Sequence, residues 1–242
     1  MNKITNNDVI KEWSDVPQEV VKKMGDLGDF GRQYLLNPVF FQLLGDVNGM
    51  RILDAGCGQE YLSRLLAKKG AVVTGIEPAG GLIAYAQKRE NEEKLGITYV
   101  KEDLSSWKPE PGRFDIVLSN MVFMDIPNYK SAIHNCIYSL KANGKFIFSI
   151  SHPCFFEEGS KEWKEKRYVA IKEYFKEFTV KPTYGYSFHR TLSTYINYVI
   201  NEGCIIKELV EPQLTEESAK INPEWDRDLH VPSFLVVYAV KA

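Results

Sequence analysis

The sequence predicts an α/β protein built on a doubly wound, mostly parallel sheet, and two observations carry that expectation. The first is the segment MRILDAGCGQE at residues 50–60. Residues 50–53 read as a short buried strand and residues 54–58 as a tight turn. Residues 61–69 read as a helix with Leu62, Leu65 and Leu66 on one face and Gly70 as its stop. A strand that passes through small residues into a helix brings backbone N–H groups close to a ligand. The second observation is the rhythm that follows, strand and helix in alternation, which implies parallel strands joined by right-handed crossovers.

The elements follow in order. The N-terminal stretch reads as helical and amphipathic, with a helix start at Ser14-Asp15-Val16-Pro17. In the next helix Asn37 serves as cap, Pro38 suits the first position and Gly45 ends it. After the glycine turn, residues 71–77 form a second strand and residues 81–93 a helix. Residues 97–100 and 114–119 are the third and fourth strands. A helix begins at Asn128, carries Ile133, Ile137 and Leu140, and stops near Asn143-Gly144. Residues 145–151 are the fifth strand.

After residue 152 the rhythm breaks. Residues 153–190 are rich in aromatic and charged side chains, among them Phe155, Phe156, Trp163, Tyr174, Tyr184 and Tyr186. The run KEWKEKRYVAIKEYFKE reads as the solvated face of an amphipathic lid. Alternation resumes with a helix marked by Leu192, Tyr195, Ile196 and Val199, then strands at 204–210 and 234–240. The expected organisation is a helical cap over 1–48, a core over 49–151 and 191–242, and an inserted lid over 152–190. The lid would lie over the carboxyl ends of the strands, where doubly wound folds bind ligands.

Composition narrows the function classes. Lys and Arg number 30 against 32 Asp and Glu, so no global positive field draws in nucleic acid. The polar start MNKITNNDVIKEW lacks the apolar stretch of a signal peptide, and the longest apolar run, 234–240, is too short to span a bilayer. Cytoplasmic location and no membrane partner are the expectations. Cys57, Cys136, Cys154 and Cys204 show no metal-ligand spacing, so no metal site is expected. Cys57 is read as a small residue in the glycine turn. Oligomeric state is left open by the sequence.

Three acidic residues fall at successive strand ends: Asp54, Glu77 and Asp103. In an open parallel sheet those ends line one crevice. Glu77, about twenty residues past the glycine turn, is placed to accept ribose hydroxyl hydrogens. Asp103 is placed for the exocyclic amino group of an adenine. A dinucleotide fingerprint would require a third glycine where Tyr61 stands, and no Walker motif is present. The residues therefore describe a pocket for an adenosine without phosphates.

In ILDAGCG, VVTGIEP, VKEDL, FDIVLSNMVFMDI and LKANGKFIFSI, in that order, the chain resembles the class I S-adenosylmethionine-dependent methyltransferases, in particular the small-molecule branch called methyltransferase type 11. The resemblance implies a seven-stranded Rossmann-like sheet with an antiparallel final strand. It also implies S-adenosyl-L-methionine as cofactor. Asp54 would orient the turn, and Gly56, Cys57 and Gly58 would lie against the methionine part. Glu77 would bind the ribose, Pro78 would border the adenine, and Asp103 with Leu104 would hold the adenine edge. Asn120 and Met121 would flank the sulfonium, and Arg32 would reach the cofactor carboxylate. Glu60 departs from the family's usual glycine and either meets the cofactor's amino group or crowds its carboxylate.

The implied activity is methyl transfer to an O, N or C atom of a small-molecule acceptor, mainly by in-line alignment. The S-N-M-V motif after the fourth strand differs from the [DN]-P-P-[YF] used on nucleobase and glutamine amines. His152, directly after the fifth strand, is the candidate base. Phe155, Tyr184, Tyr186, His189 and Arg190 are the candidate acceptor contacts. The alternative is a protein that binds S-adenosylmethionine or S-adenosylhomocysteine without transfer.

Overall fold

The computed structural model describes residues 3–155, 163, 165–171 and 173–242. Phe156 and four members of the charged run, Lys161, Glu162, Lys164 and Lys172, lie outside the described residues. Strands β1 (Arg51–Ala55), β2 (Val72–Ile76), β3 (Thr98–Val100), β4 (Phe114–Asn120) and β5 (Leu140–Ser151) join β8 (Cys204–Val210) and β9 (Phe234–Lys241) in one seven-stranded sheet. Its order is β3-β2-β1-β4-β5-β9-β8. β9 runs antiparallel to both neighbours, and the pairings among β1 to β5 are parallel. The direction of winding reverses between β1 and β4, which opens a crevice at their carboxyl ends. Strands β1 and β4 are buried on both faces, so they read as continuous apolar runs rather than alternating ones.

Helices α4 (Tyr61–Lys68) and α5 (Gly80–Glu93) are crossovers after β1 and β2, and α6 (Tyr129–Ser139) joins β4 to β5. Helix α7 (Leu192–Asn201) precedes β8. One core packs α6 and α7 against the sheet around Phe123, Phe146 and Phe148. The other packs α3 (Asn37–Leu44) and α4 against the opposite face around Phe40, Ile52 and Leu66.

Three local expectations are corrected. Ser14 to Pro17 does lead into a helix, α2 (Gln18–Lys23), but a first helix, α1 (Asn6–Ser14), begins ahead of that expected start. Thr5 caps α1 through a reciprocal box with Asp8, and the Ser14 hydroxyl closes it by donating to Ile10 O at 2.7 Å. Asn37 does not cap α3, because a π-helical turn (Arg32–Leu36) runs straight into it; its side chain donates to Leu27 O at 2.8 Å instead. Helix α6 ends at Ser139, not near Gly144, because Leu140 is drawn into the sheet opposite Phe114. The last two strands pair antiparallel, with α8 (Glu216–Ile221) and a 3-10 turn (Pro223–Leu229) between them.

Within the insertion, β6 (Phe178–Val180) and β7 (Ser187–His189) form a separate antiparallel hairpin. Gly185 at its tip lies so close to Trp13 of α1 that a Cβ would fall 2.7 Å from the indole. Tyr184 packs with Val16, Val21 and Leu82. The hairpin and the N-terminal helices thus meet each other beside the crevice.

Candidate active site

Everything at the site follows from how β1 turns into α4. The Gly56 and Cys57 N–H groups donate to Ile76 O at 2.8 and 3.0 Å, which stitches the turn to the end of β2. Gly56 has φ +79°, and a Cβ there would fall 2.5 Å from Val122, so only glycine fits. The next residue after β2 is Glu77, whose carboxylate accepts from Gly58 N–H at 3.1 Å and Ala79 N–H at 2.8 Å. Burial pushes its carboxyl up to about 7 against those two hydrogen bonds. Asp54, at the β1 end, accepts from Ser63 Oγ at 2.6 Å and is raised by burial to about 6. Burial and the neighbouring carboxylates push the Cys57 thiol far up, which makes it inert as a nucleophile.

These residues line one cleft of about 1060 Å³, counted with its open mouth. Arg32, Asp54, Gly56, Cys57, Gly58, Glu77, Pro78, Asp103, Leu104, Asn120 and Met121 all contribute to its wall. Met121 holds φ +62°, a left-handed conformation uncommon outside glycine, at the point where β4 meets the cleft. Its N–H is fixed by Ser149, backbone O at 3.1 Å and Oγ at 3.0 Å. Asn120 accepts from Ser149 Oγ at 2.8 Å and donates to the Tyr61 hydroxyl at 2.7 Å, which in turn donates to Asn37 at 3.0 Å. Tyr61 therefore locks Asn120 from the position where a dinucleotide fold needs glycine.

Asp103 is held by Ser105 N–H and Oγ, both at 2.9 Å, and by Asn6 Nδ2 at 3.0 Å. Asn6 lies on α1, which also sends Val9 and Trp13 into the cleft wall. Sequence reasoning found this helix but not its place in the cleft wall, because nothing in an amphipathic segment says which surface its apolar face covers. It also missed Asp125, in the 3-10 turn (Phe123–Asp125) after β4, which lines the cleft.

Several expected site residues are not brought to the cleft. His152 is buried with Nε2 at 2.8 Å from Glu211, while Nδ1 accepts from Cys154 N–H at 3.2 Å. Desolvation lowers its pKa, against the Glu211 charge. With both ring nitrogens engaged outside the cleft wall, it holds the β5 end rather than facing an acceptor. Phe155 packs on His152 with ring centroids 5.0 Å apart. Tyr184 belongs to the apolar cluster under the hairpin tip, and Tyr186 carries the Lys181 ammonium 4.9 Å over its ring. His189 stacks on Phe178 and its ring nitrogens lie 3.0 and 3.1 Å from Lys176 O and Pro153 O. Arg190 is buried, donating to Phe123 O at 3.2 Å and Ile126 O at 2.9 Å beneath the cleft floor.

Glu60 also turns away. It adopts φ +85° at the head of α4, and its carboxylate pairs with Arg64 Nε at 2.5 Å, outside the cleft wall. Arg64 in turn meets Asp26 and Glu93, each at 2.8 Å. Desolvation outweighs the attraction of Arg64 and raises Glu60 to about 7.

Residues 53–148 match the family model described as a methyltransferase domain. The chain is 31% identical over 143 residues to a ubiquinone biosynthesis O-methyltransferase of Coxiella burnetii, an alignment covering 58% of this chain and 60% of that protein. It thus spans less than two thirds of the length of the curated relatives it matches. A crystal structure of an S-adenosylmethionine-dependent methyltransferase from Mesorhizobium loti superposes with a TM-score of 0.77 at 26% identity, covering 90% of this chain and 100% of that one. The magnesium protoporphyrin IX methyltransferase of Synechocystis, solved with bound S-adenosylmethionine, shares the fold at a TM-score of 0.65 and 16% identity, covering all of both chains. Domain match, strand order and the glycine turn agree: residues 53–148 carry a methyltransferase domain, and the chain is similar to the S-adenosylmethionine-dependent methyltransferases.

Proposed function

We propose that the protein transfers a methyl group from S-adenosylmethionine to a small-molecule acceptor. The observation that carries this reading is the convergence of the Gly56–Gly58 turn, Glu77 and Asp103 on one cleft. The donor set fits the group. Carboxylates at Glu77 and Asp103 accept from hydroxyl and amino hydrogens, each Glu77 oxygen holds one hydrogen bond and keeps a second lone pair, and nothing stands within 4 Å of a Cβ built at Gly58. When bound, S-adenosylmethionine supplies an electrophilic methyl on a positively charged sulfur.

The chain's own residues do the rest. Glu77 would take the ribose hydroxyls, Asp103 with Leu104 the adenine edge, and Arg32 the cofactor carboxylate. Asn120 and Met121, immobilised by Tyr61 and Ser149, would border the reacting atoms, with Asp54 supporting the turn. Helix α1 and the β6–β7 hairpin would exclude water, so the N-terminal 48 residues act as a cap and residues 152–190 as a lid on the core. Positioning of this kind supplies up to roughly 7–11 kcal/mol of barrier lowering in favourable cases. Among the described residues no helix is long and apolar enough to cross a membrane. With four free cysteines, a cytoplasmic location suits the chain.

The test is turnover. Incubation with S-adenosylmethionine and an acceptor panel should give S-adenosylhomocysteine and a product heavier by one methylene, read by mass spectrometry. Tight cofactor binding with no transfer across phenols, amines and carbon acids would instead mean a binding protein.

A further inference from the structure

The turn Phe123–Asp125 is fixed from two sides by the strand end that carries β7. Phe123 is plugged into the core between Phe146 and Phe148. Arg190 grips the carbonyls of Phe123 and Ile126, one on each side of Asp125. Three residues earlier, the Ser187 hydroxyl donates to Asp125 Oδ1. Asp125, so held, lines the cleft along with Asn120, Met121 and Val122, as do Val9, Ile10 and Trp13. Burial pushes it up to about 7, with Ser187, Arg32 and Arg190 pulling the other way. Tyr195 of α7 is the remaining titratable group whose electrostatics it shares. A half-buried carboxyl on an apolar wall costs stability, and it belongs to none of the apolar clusters of the fold.

We propose that Asp125 accepts the proton of the methyl acceptor, and that this acceptor is a hydroxyl on an apolar or aromatic frame. The inference rests on the methyl-transfer reading above. As the acceptor oxygen forms its bond to the methyl carbon, its O–H bond breaks and the proton passes to the Asp125 carboxylate. The carbon–sulfur bond breaks with its electron pair left on sulfur, giving a neutral thioether, and the Asp125 proton is later lost to water. A hydroxyl on an apolar frame suits this wall, because the carboxylate can take its proton while Val9, Ile10 and Trp13 cover the frame. His152, occupied by Glu211 and Cys154, leaves this part to Asp125.

The experiment uses the full chain with S-adenosylhomocysteine bound and titrates in 4-ethylphenol or benzylamine, in wild type, Asp125→Asn and Ser187→Ala. The phenol should bind wild type and bind Asp125→Asn about tenfold more weakly, while S-adenosylhomocysteine affinity stays within about twofold in all three, as a loss confined to one hydrogen bond to a charged group requires. With S-adenosylmethionine, methylation of the phenol should fall about 10²-fold or more in Asp125→Asn, the range of a lost general base. The wild-type rate should rise with pH through about 7, where the carboxylate forms. That rise should vanish in Asp125→Asn and move to higher pH in Ser187→Ala, which removes the hydrogen bond favouring the charged form. Equal phenol affinity and an unchanged pH profile in Asp125→Asn would overturn the proposal. So would wild type that binds benzylamine but not the phenol, or neither, while still binding S-adenosylhomocysteine. Failure to bind S-adenosylhomocysteine at all would instead defeat the cofactor reading beneath it.

Discussion

Glu60 shows how one side chain can break a motif without breaking the site. The backbone at φ +85° is where a glycine is comfortable and where an L residue costs about 1–2 kcal/mol. The side chain buries a carboxylate whose pKa, raised to about 7, says that desolvation exceeds its pairing with Arg64. Glu60→Gly should therefore leave Tm unchanged or higher, since Arg64 keeps Asp26 and Glu93, and should leave S-adenosylhomocysteine affinity within about twofold by calorimetry. A tenfold loss of affinity would mean that Glu60 reaches the cofactor. Tyr61 is the contrasting case. Tyr61→Phe strands the Asn37 and Asn120 amides, so urea denaturation should show a loss of about 1–3 kcal/mol. The sequence shows the absence of glycine at 61 but not the hydroxyl's partners, because Asn37 and Asn120 come from elements 24 and 59 residues away.

At the scale of elements, legibility tracks periodicity. The strands from β1 to β5 and helices α4, α5 and α7 are written in local pattern, and the strand-end carboxylates followed from topology alone. The insertion is different. Its aromatic residues look like an acceptor pocket in sequence, but in the fold Tyr184 packs against the N-terminal helices and Phe178 stacks on His189, since aromatic area serves lid packing as well as ligand contact. Arg190 carries the clearest consequence. It clamps two carbonyls of the β4 turn with a planar fork over Tyr129, 4.1 Å from the ring centroid, a geometry lysine cannot copy. Arg190→Lys should cost about 1–3 kcal/mol in denaturant midpoint experiments, as expected when buried carbonyls lose their partner. A change within 0.3 kcal/mol, on the order of surface scatter, would contradict the clamp.

The whole molecule carries a charge problem in its cleft. Asp54, Glu77 and Asp125, with Glu60 behind them, are raised by burial to about 6 or 7. Between their unfolded values near pH 4 and those raised values, the native state binds more protons than the unfolded one, so stability falls as pH rises through that window. His152, lowered by burial, acts in the opposite sense, while Asp228, raised by burial, adds to the four. The ligand-free protein should therefore show its highest Tm near pH 5 and a lower one at pH 8, by differential scanning calorimetry. A Tm that climbs from pH 5 to 8 would refute these burial shifts. A ligand that donates hydrogen bonds to the cleft carboxylates should recover the loss, with a gain that grows with its concentration. The central claim is that this cleft holds the adenosine of S-adenosylmethionine on Glu77. Calorimetric titration of S-adenosylhomocysteine tests it most directly: one site per chain in wild type, weakened at least about tenfold in Glu77→Ala, the effect of losing a charge-assisted hydrogen-bond pair. Equal affinity in the two proteins, or no binding to wild type, would contradict it.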